Sequence, residues 1–148
     1  DRPNSSVELP NHPSNKMGTR KVTIEDSVFL SSEDVKDLKT GDQLRLMGLG
    51  NVKITSINSE IDAEFTGDDH DVNFMKLQWV SKKNAHELKI LIPQQLFVND
   101  KFNEESLEEI HVYTEPHYLE LNNDEEIQFV RFGYCRKDSS KQAIFTHK

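Results

Sequence analysis

Gln128-Phe129-Val130-Arg131-Phe132-Gly133-Tyr134 is the stretch on which the fold of this chain turns. Ile127 and Phe129 are apolar in one phase, and Val130, Phe132 and Tyr134 are apolar in the other. A strand alternates its faces with period two, so the slip predicts one extra residue, a bulge near Phe129-Val130, within a strand running from Ile127 to Tyr134. The bulge has a chemical consequence. In a regular strand Gln128 and Arg131 point to opposite faces; with one extra residue they share the face turned away from the core. An amide and a guanidinium side by side, next to aromatic residues, can read the edge of an unstacked base. Spacing alone does not select that use, because any half-buried strand carries polar residues outward.

Strand signals continue upstream. Val22-Thr23-Ile24 and Val28-Phe29-Leu30 flank a turn at Glu25-Asp26-Ser27, and Gln43 to Met47 alternates cleanly. Val52, Ile54 and Ile57 follow Gly48 and Gly50, whose role is read as permitting a bend or bulge between strands. Ile61, Ala63 and Phe65 alternate with polar residues up to the turn at Thr66-Gly67-Asp68, and Met75, Leu77 and Trp79 alternate with Lys76 and Gln78. Leu88 to Ile92, Ile110 to Thr114, Tyr118 to Leu121 and Gln142 to Thr146 complete the set. Short strands split by glycine and polar turns predict antiparallel barrels or sandwiches. Helical signals are brief: Ser32 to Leu38, with a serine cap and acids in its first turn before Gly41, and a possible turn from Asn103 to Leu107. No solenoid-type repeat is visible. The number of strands exceeds what one barrel needs, and Gly67–Asp71 is the best crossing point between two.

At 148 residues the chain can bury a core as one domain or two small ones. It opens on Asp1-Arg2-Pro3 without methionine, as a processed protein or a piece of a longer one would. No apolar run approaches membrane-spanning length and no signal-peptide pattern opens it, so a cytoplasmic protein is expected. The single Cys135 excludes an intramolecular disulfide and fits a reducing compartment. A net charge of −8 argues against a general polyanion binder. Its distribution is uneven. Arg2, Lys16, Arg20 and Lys21 stand near the start and Arg131, Arg136, Lys137, Lys141 and Lys148 near the end, while acid concentrates between them. Basic ends suit a protein that meets nucleic acid on one restricted face, although on charge alone ordinary segregation on a soluble surface is the better account.

Catalytic patterns are missing. The histidines at 12, 70, 86, 111, 117 and 147 show no zinc-type spacing. Asp68-Asp69-His70-Asp71 lacks the ligand order of an EF-hand and reads as a solvated turn. There is no nucleophile elbow, and Met47-Gly48-Leu49-Gly50 lacks the lysine and following helix of a P-loop. Trp79, Phe129 and Phe132 are expected in the core.

Asn11-His12-Pro13 with Met17-Gly18-Thr19-Arg20, then Gly41-Asp42-Gln43-Leu44-Arg45-Leu46, resembles the C-terminal region of the glutamyl/glutaminyl-tRNA synthetase family. Leu77 to Ser81, Leu96-Phe97, Glu105-Ser106-Leu107 and Gln128 to Tyr134 continue the resemblance in the same order. Met47 to Val52 resembles the archaeal-type glutamyl branch; glutaminyl-type enzymes tend to carry a basic residue at Met47. The resemblance implies an all-β fold of two antiparallel β-barrels, with residues 1–69 and 135–148 in a proximal barrel and residues 70–134 in a distal one inserted within it. It implies anticodon binding as part of a glutamate–tRNA ligase, with the class I ATP motifs, and hence ATP and Mg, in a missing upstream region and no cofactor here. The expected partner is tRNA(Glu), with tRNA(Gln) possible, no DNA and no membrane, in a monomer. Gln128 and Arg131 match the family's Gln-x-x-Arg that contacts the middle anticodon uridine. Arg45 and Lys53 match basic positions on the proximal barrel, and Arg20 closes the Met-Gly-Thr-Arg tract. The family's contact after Asn-His-Pro falls on Ser14, a changed residue. Because both tRNAs share the middle uridine, any discrimination would lie around Arg45, Met47 and Lys53. The rival readings are the same region of a glutaminyl enzyme and a β-barrel that docks protein partners, such as other synthetases, through its acidic middle.

Overall fold

The computed structural model describes residues 6–12 and 14–148; Asp1, Arg2, Pro3 and Pro13, used above, lie outside them. The chain is mostly β. The described residues up to Asn84 form one compact unit and Ala85–Lys148 a second.

The first unit opens with a hairpin that the sequence reading missed, β1 (Ser6–Pro10) against β2 (Thr19–Thr23). β3 (Val28–Leu30) follows, then α1 (Ser32–Val35). The helix is shorter than expected, and its N-cap is Ser31, which makes no side-chain cap hydrogen bond. β4 (Gln43–Leu46), β5 (Gly50–Ile57) and β6 (Ile61–Gly67) form an antiparallel meander. The strand expected across Met75–Trp79 is two short strands with different partners. β7 (Met75–Leu77) runs parallel to β4, and β8 (Trp79–Ser81) pairs with β3. Val22, Leu44, Leu46, Ile54, Leu77 and Trp79 make the core, and the Trp79 Nε1–H donates to the Met47 carbonyl at 2.9 Å. That bond gives the buried indole the partner it needs.

The second unit holds β9 (His86–Pro93), the small hairpin β10 (Phe97–Val98) and β11 (Lys101–Phe102), and β12 (Leu107–Thr114). β13 (Glu126–Phe129), β14 (Gly133–Ser139) and β15 (Gln142–His147) follow. They form one five-stranded sheet, ordered β12-β9-β15-β14-β13, in which β15 runs parallel to β9. The expected strand at Tyr118–Leu121 is instead a 3₁₀ helix, Pro116–Glu120, because Pro116 fixes a helical φ at its first turn. Leu88, Ile90, Tyr118, Cys135 and Ala143 are the buried core.

One expectation is corrected. The parallel pairings β4–β7 and β9–β15 mean that the sheets are not purely antiparallel. The expected partition put 70–134 in one barrel and 135–148 in the other; the sheets are open in strand order among the described residues. β7 and β8 belong with the first unit, and β14 and β15 share a sheet with β9, β12 and β13.

One module occurs twice. In β4-turn-β5, the Leu49 N–H donates to the Leu46 carbonyl at 2.9 Å with Gly48 at φ 74°. In β13-turn-β14, the Phe132 N–H donates to the Phe129 carbonyl at 3.0 Å with Arg131 at φ 67°. The next residue is glycine in both, Gly50 at φ 132° and Gly133 at φ 145°. A Cβ on Gly50 would stand 2.6 Å from Phe65 Cε2 and 2.9 Å from the Gly67 carbonyl oxygen; on Gly133 it would stand 2.7 Å from both Phe145 Cε2 and the His147 carbonyl oxygen. The following strand pairs also shift register at matching places, Asn51/Val52 and Ile54/Ser56 in β5–β6, Tyr134/Cys135 and Lys137/Ser139 in β14–β15. Each β-turn with its paired bulges is one solution to bending a twisted ribbon, used in both units.

Candidate nucleic-acid interface

The slip at Phe129-Val130 is a hairpin turn, not a bulge in a continuous strand. β13 stops at Phe129 and β14 starts at Gly133. The signs of φ and the closing hydrogen bond are those of a type II turn, whose third residue needs positive φ. Phe129 and Phe132 flank the turn and both pack into the core, with the Phe132 ring edge-on to Phe145 at 5.6 Å. Two inward anchors leave the residues between and beside them exposed: Gln128 on β13, Val130 and Arg131 in the turn.

Register builds the outer face. Gln128 lies opposite Tyr134, and Tyr134 lies opposite His147. Directly paired residues share a sheet face, so these three form a cross-strand row. The Tyr134 and His147 rings are stacked, centroids 4.6 Å apart and 8° from parallel. Next along the same face Arg136 lies opposite Glu126, and its guanidinium pairs with Asp124 at 2.9 Å. Lys137, counted above among the basic residues of the C-terminal end, is 4 % exposed. Its amine donates to the carbonyls of Tyr118, Leu119 and Leu121 at 3.2, 3.2 and 2.6 Å, capping the 3₁₀ helix. It is structural.

The remaining candidates lie in the first unit. Arg45 is committed to its neighbours. Its guanidinium donates to Asn51 Oδ1 and to Asp68 Oδ1, each at 2.9 Å, and to the Asp68 carbonyl at 3.3 Å. Asn51 Nδ2 in turn donates to the Asp69 carbonyl at 2.6 Å, so the acidic turn at Asp68-Asp69 is held by Arg45 and Asn51. Lys53 is exposed on β5, opposite Gln43 and Glu64. Arg20 lies on β2 and donates to the Pro10 carbonyl at 2.6 Å, bridging the loop. Within that loop His12 Nδ1 accepts the backbone N–H groups of Ser14 and Asn15 at 3.0 and 2.8 Å, and Asn11 Nδ2 donates to the Met17 carbonyl at 3.1 Å. Asn11 and His12 thus shape the turn on which Ser14 is exposed. Met47 is exposed at the β4–β5 turn.

The structure therefore brings Gln128 and Arg131 to one hairpin end and places Arg20, Arg45 and Lys53 in the other unit. Sequence reasoning missed Tyr134 and His147 as a pair. Tyr134 counted only toward an apolar phase, and His147 only as a histidine without zinc spacing. The signal that finds them is the repeat itself, Ala63-Glu64-Phe65-Thr66 against Ala143-Ile144-Phe145-Thr146, which sets the register of β15.

Elsewhere, β10 and β11 expose Phe97 and Phe102, rings edge-to-face at 6.2 Å. The adjoining hollow is lined by Glu104, Glu105 and Glu108, a poor setting for phosphate. No helix among the described residues is long and apolar enough to cross a membrane.

Two family models match the chain, both described as tRNA synthetases class I (E and Q), anti-codon binding domain, over residues 1–67 and 76–138. Among curated proteins, the glutamate–tRNA ligase of Nitrosopumilus maritimus is 56% identical over 142 residues, covering 96% of this chain and 25% of the relative. That of Cenarchaeum symbiosum is 42% identical over 142 residues, with the same coverage of each. That of Korarchaeum cryptofilum is 32% identical over 136 residues, covering 90% of this chain and 22% of the relative. The chain thus spans about a quarter of the length of these relatives.

Proposed function

The chain belongs to the anticodon-binding domains of the class I tRNA synthetases for E and Q, and on that premise we propose that it reads the anticodon of tRNA(Glu) for a parent glutamate–tRNA ligase. The observation that carries the reading to particular residues is the β13–β14 turn, which presents Gln128 and Arg131 on an exposed hairpin end braced by two core phenylalanines. A uridine edge offers acceptor, donor and acceptor in sequence. The Gln128 amide can accept from the N–H and donate to one carbonyl, and Arg131 can donate to the other carbonyl or to a phosphate. The base must be splayed from its loop for this to happen. ATP, with Mg, acts in the part of the ligase outside this chain. Each unit is read as one barrel of the family, built on the sheets β6-β5-β4-β7 and β12-β9-β15-β14-β13.

The first unit contributes through Lys53, Ser14 and Met47, which are exposed. Arg45 acts there by holding the Asp68 turn. Choice between the glutamate and glutamine tRNAs belongs to this unit, because the middle uridine is common to both. A second reading, docking of a basic protein segment on the β10–β11 hairpin, is favoured by the exposed Phe97 and Phe102 beside Glu104, Glu105 and Glu108. Both readings can hold together.

The test measures affinity for an anticodon stem-loop RNA with uridine in the middle position. Gln128→Ala and Arg131→Gln should each cost about 1–3 kcal/mol. Affinities unchanged in both variants would remove these residues from recognition.

A further inference from the structure

The geometry points to Tyr134, backed by His147, as an aromatic wall on which the recognised base stacks beside Gln128. The inference rests on the reading of Gln128 above and adds a residue to it.

Tyr134 sits between two cross-strand neighbours, Gln128 on β13 and His147 on β15. His147 covers one face of the phenol ring in a near-parallel stack at 4.6 Å. The other face is therefore turned toward β13, where Gln128 stands exposed. A flat base entering that side would meet a π-surface and a hydrogen-bonding amide at once. His147 is itself positioned, since Nδ1 lies 3.0 Å from Thr146 Oγ1, and that hydroxyl donates to the Tyr134 carbonyl at 3.1 Å. The ring pair is thus tied to the strand backbone through Thr146.

The repeated module supplies a contrast within the same chain. Aligned on Gly50 and Gly133, the row Gln128–Tyr134–His147 falls on Arg45–Asn51–Gly67. There the row is filled by the chain's own groups: Arg45 binds Asn51 and Asp68, and Asn51 binds the Asp69 carbonyl. In the second module the same position carries two stacked rings and an exposed amide. One scaffold thus binds its own turn in the first unit and offers a stacking surface in the second.

The experiment uses the full chain and three stem-loop RNAs, with uridine, cytidine or an abasic nucleotide at the middle anticodon position, read by fluorescence anisotropy. Tyr134→Leu should weaken binding of the uridine RNA by roughly five-fold to about a hundred-fold, the range for one aromatic–base stack. It should weaken the cytidine RNA by a similar factor, because stacking does not discriminate between pyrimidines, and leave the abasic RNA unaffected. Tyr134→Phe keeps the ring and should restore binding. Gln128→Ala should instead reduce the preference for uridine over cytidine. Uridine-RNA affinity unchanged in Tyr134→Leu, with loss in Gln128→Ala, would overturn the wall and leave the base-edge reading intact. Neutral results in both would overturn the two together. If Tyr134→Leu loses the native circular dichroism spectrum, His147→Ala decides the question: a fall in uridine-RNA affinity that spares the abasic RNA supports the stack, and unchanged affinity overturns it.

Discussion

Arg131 holds a backbone conformation that side chains with a Cβ rarely adopt, φ 67°. The equivalent place in the first module is Gly48, for which positive φ carries no steric penalty. A left-handed residue costs about 1–2 kcal/mol, and retaining an arginine there is the pattern of strain kept at a functional position. Arg131→Gly should therefore leave unfolding stability within about 1 kcal/mol of the parent, or raise it, because relief of φ strain is offset by the greater freedom of glycine in the unfolded chain. The same variant should lose affinity for the uridine stem-loop. Urea melts and anisotropy titrations on one preparation measure both. A variant that loses stability and keeps affinity would show that the arginine serves the fold instead. At this scale the sequence was informative about identity and poor at partnership. That Gln128 and Arg131 are exposed followed from the flanking apolar residues. That Arg45 is held by Asp68 did not, because the two are distant in the chain and meet only when the end of β6 returns beside β5, which pairs with β4.

Between the strands, the 3₁₀ helix Pro116–Glu120 explains two features invisible in the sequence. It presents carbonyls inward, which recruit Lys137, and it drives Tyr118 into the core, where the phenol donates to the carbonyls of Ser139 and Gln142. Residues 118–121 carry three apolar side chains and read as a strand; only Pro116 signals the alternative. Strands β4 and β9 were legible because each buries one face, through Leu44 and Leu46 and through Leu88 and Ile90. Hairpin β1–β2 was not, since loop hydrogen bonds from Asn11 and Arg20 help to set it and apolar periodicity does not. The packing of this region also fixes an alkaline limit. Burial, then the negative charges of Asp138 and Cys135, push the Tyr118 phenol from 10.0 to about 12, and burial pushes the Cys135 thiol from 9.0 to about 11. Both pKa values are higher folded than unfolded, so above about pH 9 the unfolded chain releases protons that the folded chain keeps. Stability contributed by these groups is intact below pH 9 and is lost as pH rises toward 12, on the order of 2 kcal/mol from each. Urea midpoints should be level from pH 7 to 9 and fall beyond it, and Cys135→Ala should remove the earlier part of the fall. A midpoint unchanged at pH 11 would contradict the burial of both groups.

For the whole chain, charge sets how RNA can be held. The net charge of −8 opposes a polyanion everywhere except where cations are locally free to meet it. The basic residues at the C-terminal end are fewer in effect than in the sequence, because Lys137 is buried on carbonyls and Arg136 is paired with Asp124. Arg131, Lys141 and Lys148 are exposed at that end of the chain. Each phosphate neutralised on single-stranded RNA contributes a slope of about −0.7 in log K against log salt, so three cations give a slope near −2. Recognition of this kind rests on a few base contacts and a stack, with little phosphate tracking, and affinity for the isolated chain should be modest but sequence-dependent. A potassium chloride series on the uridine stem-loop should give a slope of about −2 in the parent, and Arg131→Gln should make it shallower by about 0.7. A slope steeper than about −4, or equal affinity for an unrelated RNA of the same length, would mean that the chain follows the phosphate backbone. In that case exposed lysines of the first unit, Lys16, Lys21 and Lys53 among them, would have to carry the binding in place of the β13–β14 turn.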